Sequence, residues 1–309
     1  MLDYRKIVGS RKFRMKLLGS LSWVPDKLMV PIQYYLQKGK IVNLKKPKTF
    51  NEKIQAYKLF YRDPLLLQCT DKEAVRDYVK RKGMEHLLVP LLGVYSKPED
   101  IDFNGLPDKF VIKTSDGGGA NEVIVCRKKE KKILEEIKGK VKEWINFPKP
   151  KKHIAREWAY DNGYDRKILI EELLEDPEGK KDIDDFKFYC FQGKYKFMQW
   201  HKDRHSFHRA GHLDENFKFL PEVEVDSYPT FAEEPLLPSN IEEMKIYAEK
   251  LAEDFPFVRV DMYNIGGKIY FGELTFYPAS GYFNYKPEFV DEWLGSFFHY
   301  PFQKVSEIK

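Results

Sequence analysis

Several features are scarce or missing in this sequence of 309 residues. No apolar run reaches the roughly 18 residues that a membrane-spanning helix needs. The first residues lack the apolar stretch and small-residue cleavage site of a secretory signal. The three cysteines are far apart and form no C-x-x-C pair, which argues against a zinc knuckle. These absences exclude an integral membrane protein and a secreted disulfide scaffold, and we expect a cytoplasmic protein.

The composition is that of a folded globular protein. Apolar residues make up 42% of the chain and charged residues 33%, a balance that disordered chains do not show. The 23 phenylalanines and 19 tyrosines supply ample material for a core. The length suits one large domain or a few subdomains.

Positive charge is concentrated at one end of the chain. The net charge is +5, but residues 1–53 hold 13 lysines and arginines against three acidic residues, so the remainder is net acidic. Basic and apolar side chains are interleaved between residues 5 and 23. The pattern fits an amphipathic helix lying on the inner face of an anionic membrane, an attraction for an acidic polysaccharide, or an ordinary helix docked on the protein. Nucleic acid is disfavoured because no recognised nucleic-acid motif accompanies the charge.

Helix and strand patterns mix without a regular strand–helix–strand rhythm. This predicts an α+β fold and not a doubly wound parallel sheet. Two hairpins are indicated most clearly, at residues 185–200 and 257–274. Residues 201–238 are rich in histidine, arginine, aspartate and proline and predict an irregular segment. Other expected elements are strands at 109–113, 122–126 and 167–174, and helices at 128–145 and 240–254.

The second hairpin carries facing acidic residues. Positions i and i+2 of a strand share a face, so Arg259 and Asp261 point the same way, as do Glu273 and Thr275 on the returning strand. If the strands pair about the glycine turn, Asp261 lies nearly opposite Glu273. Adjacent carboxylates repel and need a cation between them, and hard oxygen ligands suit Mg²⁺ that bridges phosphate oxygens. Apolar flanking residues favour a buried sheet over ordinary surface charges.

A second candidate site follows the strand that ends at Lys113. Gly117, Gly118 and Gly119 come shortly after it. A lysine before a glycine loop can hold phosphate through its charge and through backbone N–H groups. The order differs from that of a P-loop, in which the lysine follows the glycines. An ordinary turn is the alternative.

Two further segments have chemical potential. The apolar strand at 168–174 ends in Glu171 and Glu172, and it predicts either a hinge that binds a purine and its ribose or a strand entering solvent. Residues 201–212 hold four of the seven histidines. A zinc site there lacks a thiol and an orderly H-x-x-x-H helix. A basic loop that grips an acidic substrate is favoured over a solvated one, with Arg204, His205, His208 and Arg209 as its candidate residues.

Taken in order, these motifs resemble the ATP-grasp superfamily. Asp71-Lys72 before a helix, Lys113 before the glycine loop, residues 168–174 and the acidic hairpin are similar in order and spacing to the D-alanine–D-alanine ligase pattern. Residues 185–193 and 255–276 resemble the TupA-like branch of teichuronopeptide biosynthesis. The resemblance covers roughly residues 40 to 300.

The resemblance implies an ATP-grasp fold with a small lid and a larger antiparallel core, and ATP between them. The implied divisions are a basic helical N-terminal region at 1–60, an N-terminal α/β subdomain at 61–108, the lid at 109–175 and the core with its metal site at 176–309.

The resemblance also implies roles for individual residues. Phosphates would be held by Lys72, Lys113, the glycine loop and Lys187. Adenine would be held by Glu171 and the backbone of Glu172, Leu173 and Leu174. Magnesium ligands would be Asp261 and Glu273, with Thr275 in place of the usual asparagine as a weaker ligand. Ser280 and Gly281 lie in a loop that replaces the usual Pro-Gly pair and would hold the incoming substrate.

The implied activity is that of a carboxylate–amine ligase with ATP and Mg²⁺ as cofactors. Arg259, Lys113 and Arg204 are the predicted catalytic residues. The branch implies that a uronic acid or acidic polysaccharide supplies the carboxylate and that an amino acid or small amine is joined to it in capsular or surface polysaccharide synthesis. Two alternatives stay open: a glycosyltransferase, for which Asp182-Ile-Asp184 has the D-x-D spelling, and a non-catalytic polysaccharide-binding module.

Overall fold

A computed structural model describes residues 18–117, 122–146, 154–161, 163–180, 182–204 and 206–299. The basic segment 1–17, Gly118, Gly119 and His205 lie outside the described residues, so the sequence-based expectations for them stay predictions. Within the described ranges, no helix is both long and apolar enough to cross a membrane.

Helices and antiparallel strands alternate irregularly along the chain, which confirms the predicted α+β class. In chain order the elements are α1 Asp26–Lys38, α2 Phe50–Phe60, α3 Leu65–Thr70, α4 Ala74–Arg81, β1 Leu91–Tyr95, β2 Phe110–Thr114, β3 Val123–Cys126, α5 Lys131–Asn146, α6 Trp158–Asp161, β4 Ile168–Glu172, β5 Asp185–Phe191, β6 Lys194–Lys202, β7 Arg209–Asp214, β8 Glu224–Val225, α7 Ile241–Ala252, β9 Phe257–Ile265, β10 Lys268–Thr275, β11 Tyr285–Lys286 and α8 Phe289–Phe297.

The larger sheet has five antiparallel strands in the order β10–β9–β5–β6–β7. Both predicted hairpins lie in it, and β5 pairs with β9 to join them. Strand alternation gives this sheet one apolar face, on which Phe186, Phe188 and Cys190 lie opposite Met262, Val260 and Val258. Helix α7 packs against β5, β6 and β9. The other face of the same strands carries the charged residues.

Helix α2 covers one end of that charged face. The ring of Phe50 lies 5.0 Å from that of Phe257 and 5.9 Å from that of Tyr189, measured between centroids. The helix begins with a capping box, in which Thr49 and Glu52 satisfy each other's backbone N–H groups. Helix α2 also packs against the loop that follows β10.

The smaller sheet has four antiparallel strands in the order β1–β4–β2–β3. Its core is made by Phe110, Ile112 and Ile170 of the strands with Ile137 and Val141 of α5. Strand β1 belongs to this sheet, whereas α3 and α4 contribute to the larger core. Residues 61–108 are thus shared between the two cores, and the predicted division of the chain into four parts stays a prediction.

The segment 201–238 contains two strands, β7 and the short β8, that the sequence did not predict. Strand β7 pairs with β6, with Ala210 opposite His201 and His212 opposite Gln199. The expectation of irregular structure is wrong here because polar histidines occupy the sheet's charged face, so the usual alternation of apolar and polar residues is absent.

Gly295 tests the packing of α8 on α2. A Cβ at this position would lie 2.1 Å from the Lys48 carbonyl oxygen and 2.8 Å from the Phe50 nitrogen. We expect Gly295→Ala to lower the free energy of unfolding by about 2 kcal/mol, because backbone atoms cannot yield as a side chain can. The control is Gly139→Ala in α5, where nothing lies within 4 Å of the added Cβ.

The control should be neutral or up to about 1 kcal/mol more stable, since alanine favours helix over glycine. Urea unfolding followed by circular dichroism measures both variants. Equal stability of the two variants would contradict the tight α2–α8 contact.

Candidate functional site

The facing acids of the second hairpin lie where the sequence predicted them. Asp261 is opposite Glu273 and Arg259 is opposite Thr275. A bulge between Phe271 and Glu273 shifts the register of β10 by one residue. Without this bulge, Glu273 would be opposite Val260 on the apolar face, because a one-residue slip moves side chains to the other side of a sheet. The bulge therefore places Glu273 and Thr275 beside Asp261.

Asp261 is buried and bonded to two cationic side chains. Arg259 donates from Nε to Oδ1 over 2.6 Å and from Nη2 to Oδ2 over 2.7 Å. Lys187 also donates to Oδ2. Burial raises the pKa of the Asp261 carboxyl, but Arg259 and Lys187 together outweigh burial and hold this pKa below its usual value. The carboxylate is therefore ionised.

Arg259 links the buried acid to the more exposed side of the site. Its Nη2 lies 3.4 Å from Glu273 Oε1 and donates to Thr275 Oγ1 over 2.9 Å. The side chain of Glu273 is 47% exposed, against 3% for Asp261. The cation that two neighbouring carboxylates require is thus already supplied by the protein, so their repulsion alone does not demand a metal ion.

Asp185 extends the charged cluster and was not identified from the sequence. Its Oδ2 lies 2.8 Å from Lys187 Nζ and accepts from Arg204 Nη1 over 2.7 Å. Lys187 therefore bridges two buried carboxylates on neighbouring strands. The signal was present, because Asp185 and Lys187 share a face of an otherwise apolar strand. Through Asp185, the predicted substrate residue Arg204 joins the cluster around Asp261.

The histidines of the predicted basic loop behave differently from one another. His208 Nε2 lies 2.9 Å from His201 Nδ1, and its ring packs 4.0 Å from that of Tyr228. Burial, with the charges of Lys187 and Arg259, lowers the pKa of His201, so that ring is neutral. Arg209 instead donates to Asp203 over 2.5 Å. In the described ranges, no group of three or more His, Cys, Asp or Glu residues could hold a metal ion.

Four predicted nucleotide-binding residues come together beside the smaller sheet. Lys113 donates to Glu171 over 2.6 Å, and Arg76 lies 3.4 Å from the other oxygen of Glu171. Lys72 donates to the Gly117 carbonyl oxygen. Gly117 has no room for a side chain, since a Cβ would lie 2.2 Å from Thr114 Oγ1. Arg76 is a member of this group that the sequence did not indicate.

Lys72 also lies near the acidic hairpin. Burial lowers the pKa of Lys72, and the nearby charge of Glu273 opposes that shift. The charge of Lys72 thus interacts with that of Glu273 on the larger sheet, while its ammonium group bonds to Gly117 beside the smaller sheet. Its position follows from Asp71, whose Oδ1 accepts from the backbone N–H groups of Glu73 and Ala74 and starts helix α4.

The predicted adenine segment connects the two sheets. Glu172 is exposed at the end of β4, and its backbone nitrogen donates to Pro90 over 3.0 Å. Leu173 and Leu174 follow without regular secondary structure and are half-buried. A segment of this kind has backbone groups that a ligand can engage.

Ser280 and Gly281 are held by α2 and not by the basic loop. Lys58 donates to both the hydroxyl and the carbonyl oxygen of Ser280 over 2.6 Å. Gln55 donates to the carbonyl oxygens of Ser280 and Gly281. Ala279 and Ser280 have φ values of 44° and 56°, a left-handed conformation that costs roughly 1 to 3 kcal/mol per residue and needs such support.

Lys58 and Gln55 were missed although the sequence contains a signal. Asn51, Gln55 and Lys58 stand at i, i+4 and i+7 and therefore share one side of α2. All three are buried. Polar side chains along one side of a buried helix need hydrogen-bond partners, and a neighbouring loop can supply them.

Lys58 gives a test by pH. Burial lowers its pKa from 10.5 to about 8. The unfolded state therefore binds more protons than the folded state between these pH values, and the free energy of unfolding rises with pH there. Relative to Lys58→Met, we expect wild type to gain roughly 3 kcal/mol from pH 8 to pH 10.5. Urea unfolding across this range measures the difference, and a flat difference would contradict the burial of a charged Lys58.

Solved structures of several ligases are similar to this chain. The L-amino acid ligase from Bacillus licheniformis is 14% identical, with 85% of this chain and 57% of that chain covered and a TM-score of 0.46. The D-alanine–D-alanine ligase from Bacillus anthracis is 19% identical, with 67% and 57% covered and a TM-score of 0.41. That from Helicobacter pylori is 17% identical, with 75% and 61% covered and a TM-score of 0.41.

The chain thus spans less than two thirds of the length of each of these proteins. Among curated proteins, no sequence matches it. The family model described as TupA-like ATPgrasp matches residues 52–299, which is most of the chain. This match confirms the resemblance seen in the motifs, and the chain belongs to the TupA-like ATP-grasp family.

Proposed function

We propose that this protein is an ATP-dependent ligase that joins a carboxylate to an amine through an acyl phosphate. The observation that carries the proposal is the charge-balanced cluster of Arg259, Lys187 and Asp261, with Glu273 at its exposed side and Lys72 nearby. Burying charges at such a density costs folding free energy, and clusters of this kind are typical of functional sites. Family membership supports the same reading.

Lys72 and Lys113 are proposed to contact the phosphates of ATP. Each now bonds to a protein oxygen, Gly117 and Glu171 respectively. Phosphate oxygens are stronger partners for an ammonium group than a carbonyl oxygen is. The glycine loop at 117–119 and Lys187 are proposed to add further phosphate contacts, and Glu171 with the backbone of 172–174 is proposed to hold adenine.

The donor set of the hairpin fits Mg²⁺. Glu273 offers an exposed carboxylate, Thr275 Oγ1 lies 3.1 Å from it, and Asp261 is adjacent. Mg²⁺ is usually held by one or two carboxylates together with substrate phosphates, so a full protein cage is not required. Asp261 already bonds to Arg259 and Lys187, which leaves Glu273 as the principal ligand. When bound, the ion would neutralise charge on the phosphates.

The reaction proposed for this site has two steps. The substrate carboxylate attacks the γ-phosphoryl group of ATP, giving an acyl phosphate and ADP. The amine then attacks the acyl carbon, and phosphate leaves. Arg259 and the backbone N–H groups near Ser280 and Gly281 are proposed to stabilise the oxyanion, each donor being worth roughly 3 kcal/mol.

The carboxylate is proposed to belong to a uronic acid of a surface polysaccharide, and the amine to be an amino acid or a small amine. Arg204 and Arg209 support an acidic substrate, since their side chains stay 44% and 37% exposed while they bond to Asp185 and Asp203 respectively. His208 and His205 are proposed to belong to the same binding surface, with Arg204 closest to the reacting groups.

The glycosyltransferase alternative has less support. Asp184 of the D-x-D spelling accepts from Trp200 Nε1 over 3.0 Å and lies 3.7 Å from Lys202. These contacts explain an acid at this position without a nucleotide sugar. A thermal-shift comparison separates the two functions, since a ligase should be stabilised by ATP with Mg²⁺ and a glycosyltransferase by UDP-sugars.

The predicted activity can be measured directly. We expect ADP release from ATP with Mg²⁺ to depend on both a uronate, free or as a UDP-sugar, and an amino acid. Mass spectrometry should find the matching amide. ADP release without any amide product would contradict a ligase, and amide formation without a uronate would contradict the proposed substrate.

Glu273→Gln tests the proposed metal ligand. The substitution keeps the size of the side chain, so folding should persist, while the rate of ADP release should fall by roughly 100-fold. The Mg²⁺ concentration for half-maximal rate should rise. The matched control is Glu253→Gln, since the Glu253 side chain is 46% exposed and that of Glu273 is 47% exposed. Equal rates in the two variants would remove Glu273 from the proposed site.

A further inference from the structure

Helix α1 presents an apolar stripe to solvent. Its inner side is formed by Met29, Val30 and Tyr34, which are buried. The outer residues stand at i, i+4, i+7 and i+8 and therefore form one line along the helix. Their exposed fractions are 60% for Leu28, 51% for Ile32, 56% for Tyr35 and 43% for Leu36, and Trp23 and Ile41 beyond the two ends are 78% and 84% exposed. Contiguous exposed apolar side chains of this kind mark an interaction surface.

The stripe belongs to a helix that is firmly docked. Gln33 donates to the Ile154 carbonyl oxygen over 2.8 Å. The buried Arg156 donates to the carbonyl oxygen of Val24 over 3.0 Å and to Asp26 over 3.1 Å. Lys38 donates to the Phe283 carbonyl oxygen over 2.5 Å. The apolar residues therefore lie on a fixed side of a docked helix and not on a fraying end.

Exposed lysines lie next to this stripe along the chain. Lys27, Lys45, Lys46 and Lys48 are exposed. They belong to the first 53 residues, which hold 13 basic and three acidic residues. Two copies of such a surface would repel each other, which disfavours a dimer. Apolar and aromatic side chains bordered by lysines are the combination that binds anionic lipid surfaces.

We infer that the outer face of α1, with Trp23 and Ile41, docks on an anionic lipid bilayer. Residues 5–23, which precede this helix, carry the same combination of basic and apolar side chains. A lipid surface fits this face because it rewards both of its features. The lysines would be attracted to the lipid phosphates, and the apolar stripe would enter the headgroup region.

Docking would bring the proposed acceptor loop close to the lipid. The rings of Tyr34 and Tyr282 lie 6.3 Å apart, and Lys38 bonds to Asn284 over 2.7 Å. The loop at 278–284 thus lies on the inner side of α1, at a depth of about one helix diameter, roughly 10 Å. A membrane-attached substrate would suit this position. This consequence rests on the proposed ligase function, whereas the docking of α1 on lipid is independent of that function.

The test uses the full chain and two kinds of vesicle. We expect sedimentation with mixed phosphatidylglycerol–phosphatidylcholine vesicles, little with pure phosphatidylcholine, and weaker binding at high salt. A variant combining Leu28→Ser, Ile32→Ser and Leu36→Ser should bind roughly tenfold less. The control combines Leu236→Ser and Ile246→Ser, which replace residues 93% and 64% exposed elsewhere, and should bind as wild type does.

Circular dichroism confirms that each variant is folded before binding is compared. Equal loss of binding in both variants, equal binding to both vesicle types, or no binding would overturn the inference. So would a monomer–dimer equilibrium in ultracentrifugation that only the α1 variant abolishes, because the stripe would then be a subunit contact. ADP release with soluble substrates is measured separately, so failure of docking and failure of the ligase proposal are distinguishable.

Discussion

Lys187 holds together the charged face of the larger sheet. It bridges Asp261 on β9 and Asp185 on its own strand, and both carboxylates are buried. A buried carboxylate without a partner is costly, whereas one bonded to a cation persists as an ion. Arg259 completes the balance by engaging both oxygens of Asp261. Burial of the apolar face of the same strands supplies the folding free energy that offsets the cost of the charged face.

The residues around Lys113 repeat this arrangement at smaller scale. Lys113 and Arg76 share Glu171, and Lys72 reaches the glycine loop while lying within the field of Glu273. Each cationic group therefore has a protein oxygen as its present partner. A triphosphate would offer charged acceptors to the same groups, so the proposed binding of ATP would let these cations exchange one acceptor for another.

The loop at 278–284 depends on a different kind of support. Ala279 and Ser280 adopt a left-handed backbone, and Lys58 and Gln55 hold it from beneath. The same loop packs against α1, whose outer stripe faces solvent. Residues far apart in the chain, at 55–58 and 279–281, thus define one surface. Its shape follows from helix packing and not from any local motif.

The sequence by itself determined the α+β class, the hairpins, and the common face of Arg259 and Asp261, because strand periodicity is local. It also indicated the family, through the order of its motifs. Only the tertiary structure decided which residues complete the site. The bulge that turns Glu273 towards Asp261, the strand formed by the histidine-rich segment, and the roles of Asp185 and Lys58 all depend on neighbours distant in the chain. Burial and pairing of charges are properties of the packed molecule, and local patterns do not contain them.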